Sequence, residues 1–161
     1  DFARTTTCGA TLAAGANCTI SVTFTPTTTC ARAGSITITD THLVLGAGLI
    51  GDFNPHHVND EYAKGSRFGT RILHGMITSA LMGAPVGMYF HGTAIAYLEH
   101  AVRFTAPVRA GDTLTSLWTI TDRHDKPHHG GGVVVLHGVC RNQDGIVVAE
   151  ADGKMLVHAR T

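Results

Sequence analysis

The chain has 161 residues, 43% of them hydrophobic, enough for one domain with a core of its own. Lys+Arg and Asp+Glu both number 12, so no net field draws the protein to nucleic acid or to an anionic membrane. The longest apolar run, Leu43 to Ile50, is too short to span a bilayer. No charged-then-apolar leader follows Asp1, so a signal peptide is either absent or lies outside this sequence; the expected location is cytoplasmic.

The first 33 residues stand apart in composition. They hold Cys8, Cys18 and Cys30, whereas Cys140 is alone in the remainder. No pair has the spacing of a zinc or redox site, and three is an odd number for a local disulfide set. The segment is Thr-rich, and the alternation in TISVTFTPT predicts a strand. A boundary near Ala33 would divide a β-rich extension, residues 1–33, from a domain over residues 34–161.

From Gly34 onward, SITIT alternates as a strand, and Thr39, Asp40 and Thr41 offer an N-cap for a short segment from His42 to Leu45. Gly46, Gly48 and Gly51 then have the spacing of a dinucleotide-binding turn. That reading requires a long helix opening at the third glycine and an acidic residue about 20 positions on. Pro55 instead forces Asn54 away from helical geometry, and the chain at the required acid reads KGSRFGTR, which is basic. Gly51 also opens GDFNPHH, whose Asn54-Pro55 step predicts a short helix running toward Lys64 and stopping at Gly65.

RILHGMITSALMGAP repeats apolar residues at three and four, at Leu73, Met76, Ile77, Ala80, Leu81 and Ala84, predicting a helix buried on most sides and ended by Gly83 and Pro85. Period two follows in YLEHAVRFTAPV, TLTSLWTIT, GVVVLHGVC and IVVAEADGKMLV, with turns at AGD (110–112) and NQDG (142–145). These elements predict an α+β domain, a curved antiparallel sheet wrapped around one buried helix. Open sheet edges favour pairing into a dimer.

In GDFNPHH a proline turn can bring Asp52 and His57 to one pocket, where a carboxylate and an imidazole on one water suit the addition or removal of water. The plainer reading has Asp52 and Asn54 capping turns and both histidines solvated. The adjacent pairs His56/His57 and His128/His129 do not form a metal site, because sequence neighbours rarely both reach one ion, and His128/His129 precede three glycines that read as a mobile loop. His74, His100 and His137 read as packed or solvated, and Arg103 and Arg109 as surface charges or contacts to the phosphates of a coenzyme.

From about Gly34 to Val157 the chain resembles the MaoC-type dehydratases, the (R)-specific enoyl-CoA hydratase group with the hotdog fold. The resemblance rests on Gly51, Asp52, Asn54, Pro55 and His57, on Ala63, on the His74-Gly75-Met76 step, and on VRFTAPVRAGDTL and NQDG. His56 stands where that family usually has Ile, Leu or Val, and Ile50 where a small residue is usual, which bear on pocket polarity and on local packing respectively.

The resemblance implies hydration of a trans-2-enoyl thioester, or the reverse dehydration. Asp52 is then the base toward a water that His57 holds, Gly75 offers a backbone N–H to the oxyanion, and Gly51, Asn54 and Pro55 shape the loop. Also expected are substrate contacts from His74, Arg103 and Arg109, no cofactor or metal, a coenzyme A or acyl-carrier-protein thioester as substrate, and a homodimer. A hotdog thioesterase would aim the water at the carbonyl carbon instead. Residues 1–33 resemble the closing strands of bacterial immunoglobulin-like repeats, or form an extension at a sheet edge; a binding or surface module built on them is the non-enzymatic alternative.

Overall fold

The computed structural model describes residues 2–7, 11, 20–24 and 35–159. The chain divides into two compact units, Asp1–Arg32 and Ala33–Thr161. In the first, β1 (Phe2–Thr6) pairs antiparallel with β2 (Ile20–Phe24), within the stretch expected as a strand. Cys8, Cys18 and Cys30 lie outside the described residues.

In the second unit β3 (Ser35–Thr37) leads into α1 (Asp40–Ile50), α2 (Pro55–Val58), α3 (Asp60–Lys64) and α4 (Gly75–Tyr89). The long strands follow: β4 (Ala94–Phe104), β5 (Thr113–Lys126), β6 (Gly131–Arg141) and β7 (Val147–His158). The sheet order is β3-β5-β6-β7-β4, every pair antiparallel. Register shifts at Ile120/Asp122 in β5 and at Tyr97/Glu99 in β4 mark irregularities of the kind that bend a strand, and the sheet curls around α4 as a hotdog fold. Burial alternates strictly along β6, which turns one face to the core.

Five expectations of local structure are corrected. The segment expected from His42 to Leu45 is an eleven-residue helix, capped by Thr39 and running through Gly46 and Gly48 to Gly51, whose φ of 74° ends it. The helix expected from Pro55 to Lys64 is two, because Asn59 turns extended and caps the second through its side chain, accepting from Tyr62 N–H at 3.0 Å.

Helix α4 begins at Gly75 and passes through Gly83 and Pro85 to Tyr89. A proline inside a helix costs about 3 kcal/mol. Beyond it Val86 and Phe90 are buried in a second core cluster with Val134, Leu136 and Met155, and two such side chains return about 1.5–3 kcal/mol each. The helix is also less enclosed than expected: Thr78, Ser79, Met82 and Val86 are buried, while Met76 and Met88 are exposed. Finally, the stretch expected as a mobile loop is a short 3-10 turn, Pro127–His129, leading directly into β6. Gly131 and Gly132 open that strand, and both positions require glycine because a side chain there would collide with the carbonyls of Val157 and His124.

Met82 lies at the centre of the main core with Ile38, Leu43, Leu73 and Val148. Its carbonyl accepts from the Trp118 indole N–H at 2.9 Å, joining helix to sheet. Among the described residues no helix is long and apolar enough to cross a membrane. Met82 is fully buried, so Met82→Ala should lower unfolding free energy by about 2–5 kcal/mol in urea denaturation. A loss below about 1 kcal/mol would show that α4 buries a different face.

Candidate active site

The site is built where the end of α1 meets the segment entering α4. Gly51 donates its N–H to Ala47 O at 2.9 Å, closing α1, and the chain then turns through Asp52 to Asn54. Asp52 Oδ1 accepts from Asn54 N–H at 3.0 Å, and Asn54 Oδ1 accepts from His56 N–H at 3.1 Å. Asn54 is thus the N-cap of α2, and Pro55 occupies the first helical position, where its missing N–H costs nothing. One helical turn later, His57 faces back toward Asp52.

The segment Arg71–Gly75 runs beside this loop and fixes it at several points. Ile72 N–H donates to His56 O at 3.1 Å, and Leu73 N–H to Val108 O at 2.7 Å. His57 Nδ1 lies 2.8 Å from Ile72 O. A carbonyl can only accept, so Nδ1 carries the proton and the neutral ring presents a bare Nε2. That Nε2 is 3.7 Å from Asp52 Oδ2, with His57 mostly enclosed and the Asp52 side chain 50% exposed. Both atoms therefore offer lone pairs to one point at the edge of solvent.

Arg71 holds the surroundings together. Its guanidinium donates to Asp60 Oδ1 at 2.7 Å and to Asp40 Oδ1 at 2.8 Å, tying the first turns of α3 and α1 to the strap between them. The hydrogen bond to Asp60, the largest cause, raises the pKa of Arg71.

The other expected residues are distributed as follows. His74 is 1% exposed, with Nε2 2.8 Å from Asp52 O and its ring stacked on His57 at 3.8 Å between centroids. Gly75 is the first residue of α4, whose opening N–H groups have no acceptor within the helix. A side chain at Gly75 would come within 2.9 Å of the Phe104 ring, so the close approach of that ring requires glycine.

Arg103 lies on β4, paired with Glu150 at 2.7 Å, and Arg109 Nη2 donates to Phe68 O at 3.3 Å. Neither contacts the Asp52/His57 pair among the bonds formed. His56 packs edge-on against Tyr62 and Phe68, at 5.0 and 5.3 Å between centroids, so the imidazole takes an aromatic packing role where an aliphatic residue was expected. Ile50 is the partly exposed last residue of α1.

Asp52, His57 and His74 are close enough in their ligand atoms, within 4.8 Å, to raise the question of a metal. The geometry fits one poorly. His57 Nδ1 and His74 Nε2 are occupied by carbonyls, and lone pairs in the planes of two rings inclined by only 27° run side by side rather than converging on an ion.

Three contributors were not found from sequence: the Ile72 carbonyl, Arg71 and Gly46. The carbonyl leaves no mark in the sequence, since every residue has one. Arg71 could have been sought only as a basic residue just before the His74-Gly75 step. Gly46 belongs to the glycine triplet, yet its reason is spatial: a Cβ there would sit 3.0 Å from Ile77 Cγ1 and 3.3 Å from His74 Nδ1.

Comparison with known proteins bears on what this arrangement is. Residues 21–140 match the model of the MaoC like domain. The chain is 36% identical over 124 residues to the (R)-specific enoyl-CoA hydratase of Rhodospirillum rubrum, covering 77% of this chain and 83% of that protein. It is 39% identical over 75 residues to the 3-hydroxybutyryl-CoA dehydratase of Methylorubrum extorquens, covering 47% and 48%. Among solved structures, the unliganded R-hydratase PhaJ1 of Pseudomonas aeruginosa superposes with a TM-score of 0.69 at 29% identity, covering 80% of each chain. With a curled five-stranded sheet, the GDFNPHH loop at its helix and a family match over most of its length, this chain belongs to the MaoC-like domain family.

Proposed function

We propose that the protein adds water across the double bond of a trans-2-enoyl-CoA thioester to give the (R)-3-hydroxyacyl-CoA, and catalyses the reverse dehydration. The observation that carries this reading is the separation of 3.7 Å between Asp52 Oδ2 and His57 Nε2. That gap is too long for a direct hydrogen bond, yet both atoms can reach one water at about 2.8 Å. A water that gives one hydrogen to each of two acceptors has its oxygen lone pairs directed away from them, toward a substrate. The identity to hydratases over most of the chain supports the same reaction.

In the hydration direction Asp52 takes a proton from the water while the oxygen bonds to the β-carbon. His57 holds the water in place through Nε2. The second hydrogen stays on oxygen as the product hydroxyl, and the proton taken is delivered to the α-carbon, so that one water is consumed and nothing else is required. The reaction is redox-neutral and draws every atom from water and substrate, consistent with a chemistry that needs no cofactor. Negative charge builds on the thioester oxygen as the β-carbon is attacked. The N–H of Gly75, at the positive end of the fifteen-residue helix α4, is assigned as its donor. Asn54, Pro55 and Gly51 serve by shaping the loop.

Arg103, whose side chain is 77% exposed, and Arg109 are the candidates for the phosphates of coenzyme A. A second copy of the chain is assigned to the edge of the sheet. There β4, eleven residues long, exposes Ile95, Leu98 and Phe104, an edge that invites pairing with another chain.

Two measurements test the chemistry. With crotonyl-CoA, loss of the enoyl absorbance should fall by about 10²–10⁴-fold in Asp52→Asn and in His57→Ala, with no thiol released by any form. Thiol release by the wild type would instead make the chain a thioesterase. For the oxyanion donor, Phe104→Ala clears space at Gly75, and Gly75→Pro then deletes the N–H while remaining compatible with the first helical position and with the extended His74 before it (ψ 134°). Relative to Phe104→Ala alone, the double variant should lose about 10²–10³-fold in kcat. An unchanged kcat would remove Gly75 from the mechanism.

A further inference from the structure

Asp52 and His57 act together only if their spacing is held, and one buried side chain touches both. His74 Nε2 lies 2.8 Å from the Asp52 carbonyl, which can only accept, so the ring donates there. The same ring stacks on His57, with centroids 3.8 Å apart and planes inclined by 27°. Its other nitrogen, Nδ1, is buried without a hydrogen-bond partner. It faces Gly46 of α1, where even a methyl group would sit 3.3 Å away.

A proton on Nδ1 would be enclosed with no acceptor, so the tautomer that fits this site is Nε2–H. An unpaired ring nitrogen in the interior carries a free-energy penalty that a phenyl ring of similar shape would not. What the imidazole offers in return is a combination that neither a phenyl ring nor an amide supplies: a donor for the Asp52 backbone at its edge and a flat face for His57.

Resting on the hydratase reading above, we propose that His74 is a positioning residue for the Asp52/His57 pair. Its N–H fixes the backbone of Asp52, and its face fixes the plane in which His57 Nε2 points. Because it immediately precedes Gly75, it also ties both groups to the start of α4, the assigned source of the oxyanion donor. This role replaces the substrate contact expected of His74 from sequence: one ring nitrogen is spent on Asp52, the other is turned toward α1, and the residue is 1% exposed.

The test separates the edge of the ring from its face. His74→Phe keeps a flat ring against His57 and deletes the donor; His74→Gln keeps an N–H and deletes the stack. Gly46→Ala leaves His74 in place and pushes on it from behind, through contacts of 3.3 Å to Nδ1 and 3.0 Å to Ile77 Cγ1. With crotonyl-CoA, His74→Phe should lower kcat on the order of 10²-fold while KM stays within about twofold, the pattern of a displaced catalytic group rather than a lost binding contact. His74→Gln should recover part of that loss, and Gly46→Ala should lower kcat in the same direction.

Crystal structures of the variants supply a readout independent of turnover. In His74→Phe the gap of 3.7 Å between Asp52 Oδ2 and His57 Nε2 should change. Wild-type kcat in His74→Phe, a rise in KM alone, or an unaltered gap would overturn the proposal. If wild type itself does not hydrate enoyl thioesters, the hydratase reading fails while the gap still decides whether His74 positions the pair. If His74→Phe does not fold, Gly46→Ala decides through the same kcat, KM and gap.

Discussion

The carbonyl of Ile72 accepts a hydrogen bond from His57 Nδ1 at 2.8 Å, and the direction of that bond determines what the other end of the ring can do. With its proton committed to Nδ1, the neutral imidazole has only a lone pair to offer at Nε2, which is the nitrogen turned toward Asp52. Reversing the bond is impossible, because a carbonyl has no hydrogen to give. On the proposed reading, the Asp52/His57 pair thus takes its polarity from a main-chain carbonyl rather than from another side chain.

Much of the surrounding fold serves to hold that one carbonyl. On either side of Ile72, Arg71 reaches the first turns of α1 and α3 through Asp40 and Asp60, and Leu73 is pinned to Val108. The Ile72 N–H answers the His56 carbonyl, so the strap and the loop grip each other through main chain as well as side chain. Leu73 enters the same core cluster as Met82 and Leu43, linking the strap to both the central helix and α1. Exposed ion pairs contribute little individually, but Arg71 is largely covered and serves two carboxylates at once, which makes its contribution one of geometry more than of energy.

Several of these features were legible in the sequence. The long strands showed themselves by period two, because an antiparallel sheet with one face on a core writes alternation directly into the chain. Asp52 and His57 stood out through the resemblance of GDFNPHH to a family signature; the residues alone offered a cap at Asn54 followed by a first turn at Pro55, which fits turn-capping and solvated side chains equally well. The extent of α4 was misread at Pro85, since the burial of Val86 and Phe90 that carries the helix past it depends on β6 and β7, far away in the chain. Gly46 was dismissed with its triplet for a similar reason: what it makes room for, His74 and Ile77, lies on another helix. Contacts of this kind belong to the packed molecule and have no counterpart in local composition.

The direction of the His57 hydrogen bond can be read without substrate. In protein labelled with ¹⁵N at histidine, with the His57 signals assigned by difference against His57→Gln, long-range ¹H–¹⁵N correlation distinguishes a nitrogen that carries a proton from one that does not. The account predicts, for the neutral ring, a proton on Nδ1 and a bare Nε2. The opposite tautomer, Nε2–H with a bare Nδ1, would contradict it, because His57 would then meet Asp52 and any water between them as a donor.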